Sequence, residues 1–110
     1  MSKRRDFEYV VDIIDSMLDA LEFLENLTED QFYLDKKTQS AVIYKIQVIG
    51  EASKQISDAL KQKYPLIPWK VMAGMRDVLI HKYHGVDSSI VWETANKLPD
   101  LLIELKLIIK

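Results

Sequence analysis

Apolar residues recur at three- and four-residue steps from about Arg5 to Asn26: Phe7, Val10, Val11, Ile14, Met17, Leu18, Leu21 and Leu24. That spacing predicts a helix with one apolar stripe. Asp12, Asp15, Asp19, Glu22 and Glu25 fall mostly away from the stripe. They read as a solvated face rather than as metal ligands, because acids are rarely buried and no histidine lies nearby. Thr28 to Lys37 reads as a connection in which Thr28 and Gln31 have capping-box spacing, so a short helical turn fits there. A second helix is predicted over Lys37–Lys63, where Val42, Ile46, Ile49, Ser53, Ile56 and Leu60 follow four-three spacing and form a coiled-coil-like seam. Gly50 lies inside it at a cost of about 1 kcal/mol against alanine, a cost that close approach of another helix would compensate. Tyr64-Pro65 ends the segment, since a residue before proline disfavours the α region.

A third helix is predicted from Pro68, a good first helical residue, to Tyr83 or His84, with Gly85 as the stop signal. A fourth begins after Asp87 or Ser88, either a good N-cap, and carries Ile90, Val91, Ala95, Leu98, Leu101, Leu102, Leu105, Ile108 and Ile109. Pro99 should kink or split it near Leu98, because proline lacks the N–H and crowds the preceding turn. Four apolar helices with short loops predict an all-α fold, an antiparallel four-helix bundle in one domain over residues 1–110. The apolar surface looks too large for one such core, so a homodimer is expected, with Tyr44, Val48, Met75, Leu79 and the tail Leu105–Ile109 as its face.

Composition narrows the class. The 110 residues are 48% hydrophobic and 29% charged, which suits a globular protein and neither a disordered nor a membrane-embedded one. No apolar run reaches the roughly 18 residues needed to span a bilayer, so no membrane association is expected. The charged start, Met1 to Asp6, is unlike a secretory signal. The absence of cysteine excludes disulfides, thiol catalysis and zinc–cysteine sites, and it is compatible with the expected cytoplasmic location. A net charge of −2 argues against a general nucleic-acid coater but leaves room for a local cationic cleft.

The chemistry-bearing residues gather at the end of the third helix, in Gly74-Met75-Arg76-Asp77-Val78-Leu79-Ile80-His81-Lys82-Tyr83-His84-Gly85. At about 100° per residue, Arg76 and Tyr83 share a face, and so do Asp77 and His81. Asp77 can then accept a hydrogen bond from one His81 ring nitrogen and fix its tautomer. Arg76 and His81 stand about 140° apart on a regular helix. Their convergence needs a distorted last turn or a second subunit across a two-fold axis. The residue types suit metal-free RNA cleavage. An imidazole exchanges protons with a ribose 2′-hydroxyl or the leaving oxygen, while a guanidinium holds the scissile phosphate and offsets growing charge. RNA carries its own nucleophile, so no metal or cofactor is required. Taken by themselves, an arginine and a histidine near a helix end are more often structural, and protonated histidine also favours the helix dipole.

Arg76, four residues, His81, one residue, then Tyr83 gives the pattern R-x4-H-x-Y, and the chain resembles HepT-like members of the HEPN family. Asp77 fills a polar slot more often held by asparagine, and it adds a negative charge beside the phosphate site. The flanks Ile49-Gly50-Glu51-Ala52, Val86-Asp87 with Val91-Trp92, and Leu98-Pro99 carry the resemblance over nearly the whole chain. It implies a dimeric HEPN-type bundle with a composite Arg/His cleft between two motif-bearing helices. It also implies metal-independent endoribonuclease activity as the toxin of a toxin–antitoxin pair. The implied partner is an MntA-like nucleotidyltransferase antitoxin that transfers AMP to Tyr83, a bulky anion that would occupy the phosphate site and repel RNA. The alternative is a non-catalytic HEPN module that binds nucleotide, RNA or a partner protein, using Arg76 without His81. A bundle acting only through protein contacts is a third reading.

Outside the motif, Glu51 can pair with Arg76 and preorganise it, or be a solvated acid. His84 reads as a helix-end solvent residue ahead of a second proton-transfer group. Trp69 and Trp92 read as core or interface anchors rather than base-stacking platforms. Lys70 and Lys82 extend an RNA footprint or have no specific role, and Ser2-Lys3-Arg4-Arg5 reads as a frayed terminus.

Overall fold

The computed structural model describes residues 2–80 and 87–109, with side chains over 5–77 and 87–109. Among the described residues there are seven helices and no strand: α1 (Ser2–Leu24), α2 (Glu29–Leu34), α3 (Lys36–Lys54), α4 (Asp58–Lys63), α5 (Trp69–Ile80), α6 (Ser88–Ala95) and α7 (Leu98–Lys106). The expected all-α bundle is therefore present. Its principal rods are α1, α3, α5 and the divided pair α6–α7. Among the described residues, no helix is long and apolar enough to cross a membrane.

Val10, Ile13, Ile14, Met17 and Ala20 of α1 are buried against α3 and α7. The buried stripe is rotated from the expected one: Ile13 and Ala20 are fully enclosed, while Phe7 and Leu18 are 54% and 42% exposed. Phe7, Val11 and Leu18 repeat at a spacing that aligns them on a separate ridge. Both ridges satisfy a helical period, and only the neighbouring helices decide which one is enclosed. Two contacts fix the antiparallel pairing of α1 and α3. The Lys45 ammonium meets Asp19 at 2.8 Å, and Asp6 near the start of α1 reaches Ser57 just beyond α3.

The seam of the second predicted helix is confirmed at Val42, Ile46, Ile49 and Ser53, all fully buried, and at Ile56. The buried Ser53 hydroxyl donates to the Ile49 carbonyl at 2.7 Å, so it leaves no orphan polar atom inside the bundle. The helix itself does not run through to Lys63 as expected. It stops at Lys54, and α4 restarts at Asp58. Ser57 makes the break by accepting from the Leu60 amide at 3.2 Å as the α4 N-cap. The buried Asp6 carboxylate then accepts from the Ser57 amide at 2.9 Å and from its hydroxyl. A distant acid thus takes up backbone and side-chain donors that a continuous helix would have used otherwise.

The short connection before α3 forms the expected capping box. Thr28 Oγ1 accepts from the Gln31 amide at 3.1 Å, and Gln31 Oε1 accepts from the Thr28 amide at 2.9 Å. Asp35 caps α3 by accepting from the Thr38 amide and hydroxyl, which holds its carboxyl below the usual carboxylate range. The Glu29 carboxylate accepts from the Tyr33 hydroxyl in α2 and pushes that phenol up to about 12. Asp87 caps α6 through the Ser89 amide. The last predicted helix is split as expected, with α6 ending at Ala95 and Pro99 sitting in the first turn of α7, where its missing N–H is not needed.

Trp69 is buried with its indole N–H donating to the Tyr64 carbonyl at 3.0 Å, and Trp92 packs on Phe32 with ring centroids 5.3 Å apart. Both tryptophans serve as anchors of the fold. Two residues assigned to a dimer face belong to the core instead: Met75 is 6% exposed and Leu105 is fully buried. They sit at the same helical phase as Met72 and Leu102, so the core stripe claims them. Tyr44, Leu107 and Ile109 remain exposed, and Val48 is half-buried. Leu79 lies outside the described side chains, as does the predicted end of the third helix at Tyr83 or His84 outside the described residues.

Gly50 is buried where α3 meets α5. A Cβ built there would lie 2.8 Å from Arg76 Cβ and 3.0 Å from the Arg76 backbone nitrogen. Gly50→Ala should therefore lower stability by about 1–3 kcal/mol through forced displacement of α5, outweighing the gain in helix propensity. Urea unfolding followed by circular dichroism checks this, and an unchanged or higher midpoint would contradict it.

Candidate functional site

The close approach at Gly50 seats the first candidate side chain, Arg76. With only a hydrogen on Gly50, the backbone of α5 at Ala73 and Arg76 comes into direct contact with α3. One residue further along α3, Glu51 Oε1 lies 2.5 Å from Arg76 Nε, so of the two readings left open for Glu51 the pairing is present, on a side chain that is itself exposed. The Arg76 side chain is about one third exposed, and Glu51 more so. An ion pair this wet contributes little to stability, and its consequence is orientation. A carboxylate on Nε fixes one edge of the planar guanidinium and directs its remaining donors.

Asp77 has a partner that was not expected. Lys54, one turn beyond Glu51 on α3, places Nζ 3.3 Å from Asp77 Oδ1, and the same oxygen is 4.0 Å from Arg76 Nη1. The α3 pair Glu51–Lys54 and the α5 pair Arg76–Asp77 thus interlock as two acids and two bases. Lys54 was missed because an exposed lysine is unremarkable alone. The signal was the acid–base order at 51 and 54 facing a base–acid order at 76 and 77, and it needs the helix register before it can be read.

His81, Tyr83, His84 and Lys82 lie outside the described residues. So do the expected hydrogen bond between Asp77 and His81, the shared face of Arg76 and Tyr83, and the separation of Arg76 from His81. A groove of about 570 Å³ runs between α1 and α3, with Tyr9, Asp12, Tyr44, Val48 and Glu51 in its walls. Glu51 therefore joins the groove to Arg76. Among the described residues, no group of three or more histidines or acids is arranged to hold a metal ion.

Comparison with known proteins agrees with this architecture. Residues 13–108 match the family model described as "Ribonuclease HepT-like". The chain is 43% identical over 111 aligned positions to "Putative RNase MJ0127" of Methanocaldococcus jannaschii, covering all of this chain and 92% of that protein. It is 44% identical over 95 positions to "Probable ribonuclease HepT" of Thermococcus cleftensis, covering 86% of each. It is 34% identical over 103 positions to "Putative RNase TTE0752" of Caldanaerobacter subterraneus subsp. tengcongensis, covering 93% of this chain and 92% of the relative. No solved structure matches the chain. An all-helical bundle with an arginine-centred charge cluster is thus the setting of a ribonuclease-class domain. The chain belongs to the HepT-like ribonuclease family.

Proposed function

We propose that this protein is the toxin of a toxin–antitoxin pair, an endoribonuclease that cleaves RNA without a metal through Arg76 and His81. The observation that carries the reading is the Arg76 guanidinium, held on Nε by Glu51 at the start of the R-x4-H-x-Y pattern. The 2′-oxygen of a ribose attacks the adjacent phosphorus in line, forming a cyclic phosphate as the bond to the 5′-oxygen breaks. A base takes the proton from the 2′-hydroxyl, and an acid returns one to the departing 5′-oxygen. His81 supplies this proton transfer, and Arg76 offsets the charge that grows on the phosphoryl oxygens.

A homodimer completes the site, because two copies supply two His81 side chains, one for each proton. The exposed Tyr44 at the rim of the α1–α3 groove supports a subunit contact beside Glu51, and Leu107 and Ile109 add exposed apolar surface. The antitoxin is an MntA-like nucleotidyltransferase. It transfers the AMP of ATP to the Tyr83 hydroxyl, forming a phosphodiester with release of pyrophosphate. Arg76 then binds this tethered phosphate in place of RNA, at high effective concentration.

Three outcomes test the reading. Arg76→Ala and His81→Ala should each lower RNA cleavage by roughly a hundredfold or more with helical circular dichroism intact, and wild-type activity should persist in EDTA. A folded His81→Ala protein that cleaves RNA fully would refute the assigned chemistry. Sedimentation equilibrium at micromolar concentration should give twice the 12.8 kDa chain mass, and a strict monomer that still cleaves RNA would rule out the composite site. Incubation with antitoxin and ATP should add adenylyl mass to the wild type and none to Tyr83→Phe. An equal gain in both would move the modification elsewhere.

A further inference from the structure

Asp77 poses an electrostatic problem that Arg76 alone does not solve. Glu51 already engages the guanidinium at Nε, and Asp77 Oδ1 stands 4.0 Å from Nη1. Two carboxylates around one guanidinium leave a net negative cluster at the place where a backbone phosphate must dock. A third charge within a few ångströms decides whether the cluster repels or accepts an anion.

We propose that Lys54 is the positioning residue that cancels Asp77 and thereby makes the Arg76 site receptive to RNA phosphate. The proposal rests on the reading of Arg76 as the phosphate-binding group. Lys54 reaches from α3 to within 3.3 Å of Asp77, so with Glu51 and Arg76 the four charges balance. The pair is too exposed to matter much for stability; the Lys54 and Asp77 side chains are 38% and 48% accessible. Its effect falls on the neighbouring ligand site. Lys54 is the nearer cation to Asp77 Oδ1, at 3.3 Å against 4.0 Å for Arg76 Nη1, and so competes with Arg76 for that carboxylate. In a chain with a neutral residue at position 77, the same lysine would have no charge to cancel, which makes its contribution conditional on Asp77.

A double-mutant cycle on the full-length protein reads that condition. The ligand is a fluorescein-labelled, mixed-sequence RNA of about 20 nucleotides with 2′-O-methyl riboses, followed by anisotropy at about 50 mM and about 500 mM salt. Lys54→Met should weaken binding roughly threefold to tenfold at the lower salt, shrinking at the higher. In the Asp77→Asn background the same substitution should change binding by less than about twofold. Lys54→Arg should retain wild-type binding. Equal weakening in both backgrounds would mean that Lys54 contacts RNA directly and would overturn the proposal, as would no weakening with Asp77 present. Arg76→Ala is the separate control. If it binds as tightly as wild type, or if the wild type does not bind, the phosphate-site reading fails and this proposal with it.

Discussion

The absence of a side chain at Gly50 lets α3 and α5 touch backbone to side chain, and the charge cluster around Arg76 depends on that contact. A methyl group there would press on Arg76 Cβ and its amide nitrogen. Glycine inside a helix costs about 1 kcal/mol, and what it secures is a fixed separation between two helices that carry complementary charges. At that separation Glu51 reaches Arg76, and one turn later Lys54 reaches Asp77. Since neither pair is deeply buried, neither would hold the helices together. Packing of Ile46, Ile49, Met72 and Met75 supplies the stability, and the charges supply the orientation.

The contact lies in the last turns of α3, and the Arg76 and Glu51 side chains beside it stay partly exposed. Asp6 and Ser57 terminate α3 shortly after Lys54 by redirecting the chain into α4. The chain returns through Tyr64 and the anchored Trp69, which starts α5, and α5 packs along α3. A continuous helix to Lys63 would have carried the chain away before it could double back. The break is thus part of how the sequence brings Arg76 to Glu51.

Much of this was legible in the sequence where one local rule acts alone. Thr28 with Gln31 specified a capping box, Pro99 specified a division, and the four-three seam from Val42 to Ile56 specified the buried face of α3. The reading failed where two local rules compete or where a distant residue arbitrates. Seam periodicity masked the Ser57-Asp58 cap signal, because the apolar spacing continues through Ile56 to Leu60 and the deciding partner, Asp6, lies 51 residues away. On α1, two apolar ridges satisfied the same period, and packing chose the one through Ile13 and Ala20 over the one through Phe7 and Leu18. Met75 and Leu105 were placed outside because apolar excess was counted without knowing which arc the neighbours cover. In the charge cluster, Arg76, Asp77 and Glu51 were singled out in the sequence as candidates, and Lys54 was not. Its role depends on the register between two helices, which no local pattern encodes.

A weakly acidic chain thus holds a partly exposed arginine in a fixed setting of charges. Helix geometry brings the charges together, and the pairing fixes the guanidinium before any ligand arrives, so less ordering remains to be done on binding. The central claim is that the glycine contact sets the Arg76 guanidinium. It is tested most directly by the side-chain Nε–H resonance of Arg76 in a ¹H–¹⁵N NMR spectrum, assigned by its loss in Arg76→Lys. In the wild type this resonance should be shifted and protected from solvent exchange by Glu51, and in a folded Gly50→Ala protein it should move to the position of a free arginine. An Arg76 Nε–H that is equally shifted and protected in both proteins would contradict the account.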